Sequence, residues 1–443
     1  MPVSPTQPDT FITEFFTLLK DSVRAWITTN KESIVMGDVN VSNSLESYVN
    51  YINYSLRDEY CRRRSEGERA ETVIASLITL PPPADTDVIS QELLPFTSDA
   101  RSWTEALSPL RGREVFYANF ERMAHCLIPW IRSSSQSAVI ISENEIDYQH
   151  IGLPPEMTAV RFHDLRMRLY RNDFIEKYFP VFYSFCNTVK LVDSIIEPPR
   201  FSCICGCQVI GKIWAEICAA RGGDTVCYQH GWPAFMHAGF VDMPYTRMIT
   251  WGDEFNRLWR SYNPQMECLT GGYPYPIEAE GSHHSVTFFL QEPYFVSSHR
   301  MVGQMYDLIV ATALRYPDMT IQYRLHPESQ IDYHIRHRLD SLPNVVDVTD
   351  RPLHEVYAAT RVAVSHYSST IMECLAHGCC PLVFNPTPRW RYTPDLEAES
   401  IGFISTTPDE FFDRLPRALA HRIAPTTVAR WIAPPRCESQ TAD

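Results

Sequence analysis

Residues 362–384 read VAVSHYSSTIMECLAHGCCPLVF. The run 362–365 is short and apolar, which predicts a buried strand. It leads into Ser368 and Ser369, a helix starts directly after them, and 381–384 is the next apolar run. Two strands joined by a helix in this way lie parallel. Working outward, strands are predicted at 286–290, 320–325, 345–348 and 401–404. Met301, Met305, Leu308 and Thr312 form one helical stripe between the first two. Repeated βα units imply a parallel, doubly wound sheet with helices on both faces. Ligands of such sheets bind beyond the carboxyl ends of the strands.

Upstream, FSCICGC at 201–207 reads as a buried strand, and 209–221 as a helix ended by Gly222-Gly223. DTVCYQ at 224–229 reads as the next strand. This is a second β-α-β unit, joined by shorter strands at 247–250 and 267–269 and by earlier ones at 138–141 and 159–162. Helices are predicted over 114–130 and 165–196. Phe11, Phe15, Leu18, Leu19 and Val23 give the first helix an apolar face. Pro81-Pro82-Pro83 breaks the helical pattern, and GGYPYP at 271–276 reads as a linker. The predicted fold class is therefore α/β, with two Rossmann-like doubly wound domains and a helix-rich N-terminus. The expected division is 1–276, 277–413 and a C-terminal tail, 414–443.

The 443 residues suit two domains, and a net charge of −14 argues against nucleic acid as the main partner. The 13 cysteines are odd in number, and the first residues carry no apolar stretch, so reduced thiols and a cytoplasmic location are expected. Residues 201–220 come nearest to a membrane span, but Lys212 and Glu216 interrupt them. Cys203, Cys205 and Cys207 do not have zinc-knuckle spacing. On a strand they share one face, which reads as core, as does Cys379-Cys380. No metal site is expected.

Chemistry is sought at the strand ends. In Tyr323-Arg324-Leu325-His326-Pro327, Arg324 and His326 share a strand face. A cation and an imidazole there suit a phosphate and the charge on a leaving group. The alternative is a surface arginine and a histidine bonded to local backbone. In the 362–384 segment, the hydroxyls of Ser368 and Ser369 meet a helix start, which favours anions. Glu373, one turn in, is placed for a ribose hydroxyl. Alternatively, Thr370 to Glu373 forms a capping box. Gln229-His230-Gly231 closes the strand of DTVCYQ, so these residues are expected to face an interdomain cleft. There His230 is a candidate general base toward an acceptor hydroxyl. The acidic turn Glu143, Glu145, Asp147 is the competing source of a base or a solvated loop. Asp164 reads as a helix N-cap or a further acid.

YRLHP followed by SHYSSTIMECLAHGCCPLVF resembles the donor half of the GT-B glycosyltransferases. The pattern is similar to that of bacterial enzymes with CMP-linked donors: capsule Kdo transferases, sialyltransferases with HP and SS motifs, and teichoic-acid glycerophosphotransferases. The specific likeness covers about 320–386, and ITWGDEF and GGYPYP extend the layout. The resemblance implies that His326 and Ser368 or Ser369 contact the nucleotide phosphate, and that no bound metal or other cofactor is needed. It implies transfer of a sugar from a nucleotide-sugar donor, CMP-linked to Kdo or a similar 2-keto acid, to a surface glycan or glycolipid of the capsule or lipopolysaccharide kind. UDP- or GDP-sugar transfer, glycerophosphate transfer and a degenerate glycan-binding scaffold are the alternatives. From Arg414 to Cys437 there are five arginines and no acidic residue, interleaved with Leu415, Leu419, Ile423, Trp431 and Ile432. A peripheral contact with the inner membrane face is one expectation for this tail, and closing helices of the fold are the other.

Overall fold

The computed structural model describes residues 7–78, 80, 104–105, 107–118, 121–134, 138–142, 158–161, 179–233, 238–275, 277, 281, 283–291, 299–326, 329–386 and 394–435. The chain divides into two compact units. One holds residues 14–230 and 236–274; the other holds residues 231–235 and 275–434 with the chain up to Thr13.

The first unit opens with four helices, Gln7–Asn30, Ser42–Asn53, Arg57–Ser65 and Ala70–Leu77, of which the first begins in the other unit. A hairpin of β1 (Val35–Met36) and β2 (Val39–Asn40) links the first two helices. The apolar stripe of the first helix is buried at Phe11, Phe15, Leu19 and Val23. A seven-stranded parallel sheet follows, built from β3 (Val115–Ala118), β4 (Val139–Ser142), β5 (Thr158–Arg161), β6 (Arg200–Ile204), β7 (Asp224–Tyr228), β8 (Arg247–Thr250) and β9 (Glu267–Thr270). Its order is β5-β4-β3-β6-β7-β8-β9.

Two expectations for this unit are corrected. Residues 114–130 are not one helix: β3 is an interior strand, and the helix is Glu121–Ser133. Val115 to Ala118 are all buried between β4 and β6, so the run is apolar throughout and carries no period that separates it from the helix behind it. Nor do the three cysteines share a strand face. The strand ends at Ile204, and Cys205 (φ 77°) and Gly206 (φ 68°) are left-handed, turning the chain toward the helix Val209–Ala220. A Cβ on Gly206 would lie 2.8 Å from the sulfurs of Cys227 and Met243, so the turn closes only on glycine.

The second unit carries a six-stranded parallel sheet of β10 (Ser285–Phe289), β11 (Thr320–Arg324), β12 (Val345–Asp347), β13 (Thr360–Ser365), β14 (Cys380–Phe384) and β15 (Phe403–Ser405). Its order is β12-β11-β10-β13-β14-β15. Val286, Phe288, Ile321, Tyr323, Val362, Val364, Leu382 and Phe384 pack with Ile309, Met305 and Phe411 into one core. On its other face the sheet buries a polar ladder. Thr287 Oγ1 donates to Gln322 Oε1 at 3.0 Å and lies 2.7 Å from Thr360 Oγ1. These hydroxyls are satisfied within the ladder, so they cost little to bury.

The expected tail folds into the same unit. Helix Pro408–Ala420 places Phe411, Leu415 and Ala418 in the core, and helix Pro425–Trp431 ends on buried Trp431 and Ile432. Arg414 bonds Glu397 at 2.8 Å, Arg417 lies over the Phe403 ring at 5.0 Å, and Arg422 donates to the Leu419 carbonyl. Three of the five apolar residues of the membrane-facing pattern, Leu415, Trp431 and Ile432, are thus buried in the protein's own packing. Among the described residues no helix is long and apolar enough to cross a membrane.

Candidate functional site

Both sheets reverse their strand order beside the first strand, between β3 and β6 and between β10 and β13. Such a switch point leaves a crevice at the carboxyl edge, because the connections on either side run to opposite faces. In the six-stranded sheet, Phe289 pairs with Arg324 and Phe288 with Val364. The Arg324–His326 segment and the Ser365–Glu373 segment therefore leave the sheet on opposite sides of β10, about 10 Å apart at two strand spacings.

On the β11 side, Arg324 Nη1 donates to the carbonyls of Val348 at 3.0 Å and Arg351 at 2.6 Å. Leu325 N donates to Thr349 Oγ1 at 3.1 Å. The guanidinium is thus pinned at the strand end by the turn after β12. His326 is half-buried, and its carbonyl accepts from Ser329 N at 2.8 Å.

On the β13 side, Ser365 Oγ donates to the Phe289 carbonyl at 2.6 Å and ties the two central strand ends. His366 is buried, with Nδ1 2.8 Å from the Phe384 carbonyl and Nε2 3.0 Å from the Met301 carbonyl. An imidazole donates to both only when doubly protonated. Ser368 Oγ accepts from Thr370 N at 3.3 Å, and its carbonyl accepts from Ile371 N at 3.0 Å. Two amides of the helix start are therefore already used. The helix Thr370–Ala376 begins after Ser369, whose side chain makes no cap bond. The Thr370–Glu373 capping box does not form: Thr370 is the first residue of the helix, its Oγ1 accepts no amide, and Glu373 Oε2 accepts from Tyr357 OH at 3.3 Å, in a buried position. Thr370 Oγ1 is buried and has no hydrogen-bond partner.

Ser369 Oγ accepts from Trp232 N at 3.0 Å. The segment Gly231–Phe235 belongs to this unit, although it lies far upstream in sequence. A Cβ on Gly231 would fall 2.1 Å from Ser369 Oγ, so only glycine permits the approach. Of the remaining acceptor-side candidates, Gln229 is buried: its Oε1 accepts from Trp251 N and its carbonyl from Trp251 Nε1, both at 3.1 Å. It positions the strand end within the first unit. His230 follows it, half-buried, at that unit's edge. Glu143, Glu145, Asp147 and Asp164 lie outside the described residues.

Sequence reasoning assigned nothing to Ser365, His366 or Trp232. Their roles are hydrogen bonds to backbone far away in sequence, which residue type alone does not announce. The recognisable signal was glycine before a bulky aromatic at a strand end.

The two sheets define a GT-B-like fold. A Listeria monocytogenes structure described as a "putative UDP-N-acetylglucosamine 2-epimerase" superposes with a TM-score of 0.50 at 8% identity, covering 74% of this chain and 92% of that one. UDP-GlcNAc 2-epimerase from Methanocaldococcus jannaschii gives 0.49 at 9%, over 69% and 92% of the two chains. The wall teichoic acid polymerase TagF gives 0.45 at 10%, over 77% and 90%. Identities this low speak for the fold alone. No protein-family profile matches the chain, and no curated protein matches it in sequence.

Proposed function

We propose that the chain is a GT-B enzyme acting on a nucleotide-activated sugar, held at the carboxyl edge of the six-stranded sheet by Arg324, His326, Ser368, Ser369, Thr370 and Glu373. The observation that carries this reading is Thr370 Oγ1, a buried hydroxyl without a partner beside the two serines at the switch point. Leaving such a group unmet costs about 1–3 kcal/mol, which a polar ligand atom repays. His326 is the group for the leaving phosphate, and the pinned guanidinium of Arg324 supplies positive charge beside it. His230 is the candidate base toward an acceptor hydroxyl, with Glu143 and Glu145 the competing acids. The HP and SS pattern favours a CMP-linked donor, Kdo or a similar 2-keto acid, and a surface glycan acceptor. A second reading, sugar epimerisation on a UDP-linked substrate, is favoured by the likeness to the Listeria structure.

A nucleotide panel tests both. CMP raising the melting temperature of the full chain supports the CMP-linked donor, and UDP or GDP doing so supports a UDP- or GDP-sugar donor; conversion of UDP-N-acetylglucosamine with no acceptor present supports the epimerase. No response to CMP, UDP or GDP removes the proposal and leaves a scaffold or glycan-binding module.

A further inference from the structure

A cavity of about 360 Å³ lies within the first unit, lined by the last turns of the helix Gln7–Asn30, the first turns of the helix Ser42–Asn53 and the segments that lead into β8 and β9. Small-molecule pockets occupy about 300–1,000 Å³. Met243 stands just before β8 and Met266 just before β9, so the cavity opens at the amino edge of the seven-stranded sheet. Gln229 and His230 follow β7 at the opposite, carboxyl edge of the same sheet.

The cavity walls are held by side-chain amides. Asn263 Oδ1 accepts from Met243 N at 2.8 Å, and its Nδ2 donates to the Phe240 carbonyl at 2.9 Å, which joins the two segments before β8 and β9. Asn40 Nδ2 donates to the Lys31 carbonyl at 2.7 Å and its Oδ1 accepts from Ser42 N at 3.0 Å, which ties the end of one helix to the start of the next. Asn43 N donates to Glu216 Oε1 at 3.2 Å. The amides of Ser42 and Asn43 are therefore already used, and neither is left for an anionic ligand.

Among the described residues four charged side chains line the cavity: Arg24, Lys31, Glu46 and Asp242. Arg24 is paired with Asp242. One acid and one base remain. Glu46 is only 8% exposed, and among the described residues its carboxylate has neither a hydrogen bond nor an ion pair. Burial pushes its pKa up, and Arg24, Lys212 and Lys20 oppose this through space without bonding it. A buried carboxylate in this state is matched by a charged donor from a ligand. Lys31 is exposed, at the mouth. Ile27, Met243 and Met266 are buried and give the cavity an apolar wall. No aromatic ring lines it among the described residues, so it lacks the platform on which a nucleobase stacks.

We propose that this cavity binds a free α-amino acid with an aliphatic side chain. Glu46 receives its ammonium group, Lys31 its carboxylate, and Ile27, Met243 and Met266 its side chain. One unpartnered acid and one unpartnered base match a ligand that carries one charge of each sign. The site is separate from the carboxyl edge of its sheet and stands independently of the nucleotide-sugar reading.

The test is isothermal titration calorimetry of the full chain with L-leucine, L-isoleucine and L-methionine. At least one should bind one-to-one with a Kd of about 1 mM or tighter. Leucinamide lacks the carboxylate and isocaproate lacks the ammonium group; each should bind about tenfold or more weakly than leucine, having lost one charge-assisted contact. Glu46→Gln keeps the shape of the wall and removes its charge, and Lys31→Ala changes only an exposed side chain. Each variant should weaken amino-acid binding by about tenfold or more. No binding of the three amino acids at millimolar concentration overturns the proposal. So does equal binding of leucine, leucinamide and isocaproate, or unchanged affinity in Glu46→Gln. The ligand series uses only the parent chain, so a misfolded variant does not decide the matter.

Discussion

His326 and Gly231 test the candidate site in different ways. A contact that matters only as charge develops on a leaving group contributes to the transition state and little to folding. His326 is half-buried, and its carbonyl accepts the turn bond from Ser329 N. His326→Ala should therefore lower kcat by about 10²–10³-fold with the melting temperature nearly unchanged; an Ala variant with full turnover sinks the assignment. Gly231→Ala should do the reverse. Its new methyl meets Ser369 Oγ at 2.1 Å and Ser369 Cβ at 3.0 Å. Overpacking of this kind costs about 1–3 kcal/mol. Adding Ser369→Gly removes both clashing atoms and keeps a tolerated N-cap, so the double variant should be more stable than Gly231→Ala alone. Strict additivity in urea unfolding would show that the two residues do not touch. Residue types disclosed the polar positions of this site, because Arg, His, Ser and Glu at strand ends are conspicuous.

Between elements, the first unit buries an acid where two helices meet. Glu216, on Val209–Ala220, accepts from Asn43 N at 3.2 Å and pairs with Ser44 Oγ, both on Ser42–Asn53. Burial pushes its carboxyl up to about 8 from 4.5, against the pull of Ser44 and the buried Lys212. Between those values the folded chain holds a proton that the unfolded chain has released. This group's contribution to stability therefore falls as pH rises through the window and is flat above it. Glu216→Gln imitates the protonated acid and keeps both partners. Its advantage over the parent should widen from pH 5 to 7.5, by at most about 1.4 kcal/mol per pH unit. A pH-independent difference in urea unfolding would contradict this. Most strands were legible because sheets covered on both faces need continuous apolar runs, and 286–290 and 381–384 are such runs. β3 was not legible, because four apolar residues abut a helix with an apolar face of its own. The Cys205-Gly206 turn was missed for a different reason: left-handed backbone at a cysteine leaves no mark in residue type.

For the molecule as a whole, the two units are unequal in how the chain supplies them. A chain ended at Asp413 would lose Leu415, Ala418, Trp431 and Ile432 from buried positions in the six-stranded unit. Each large apolar side chain contributes about 1.5–3 kcal/mol when buried. The truncated protein should show an early urea transition and lost near-ultraviolet circular dichroism; an unchanged midpoint would mean that the last two helices are dispensable. The six-stranded unit also takes residues 231–235 from upstream of most of its own sequence, and the Trp232 amide is bonded to Ser369, 137 positions later. That spacing is also a delay. At 5–20 residues per second on the ribosome, Trp232 emerges roughly 7–27 s before its acceptor exists. During synthesis the segment after His230 is therefore an indole and a backbone donor awaiting a partner, and a nascent chain paused before residue 369 is the species that a chaperone would meet.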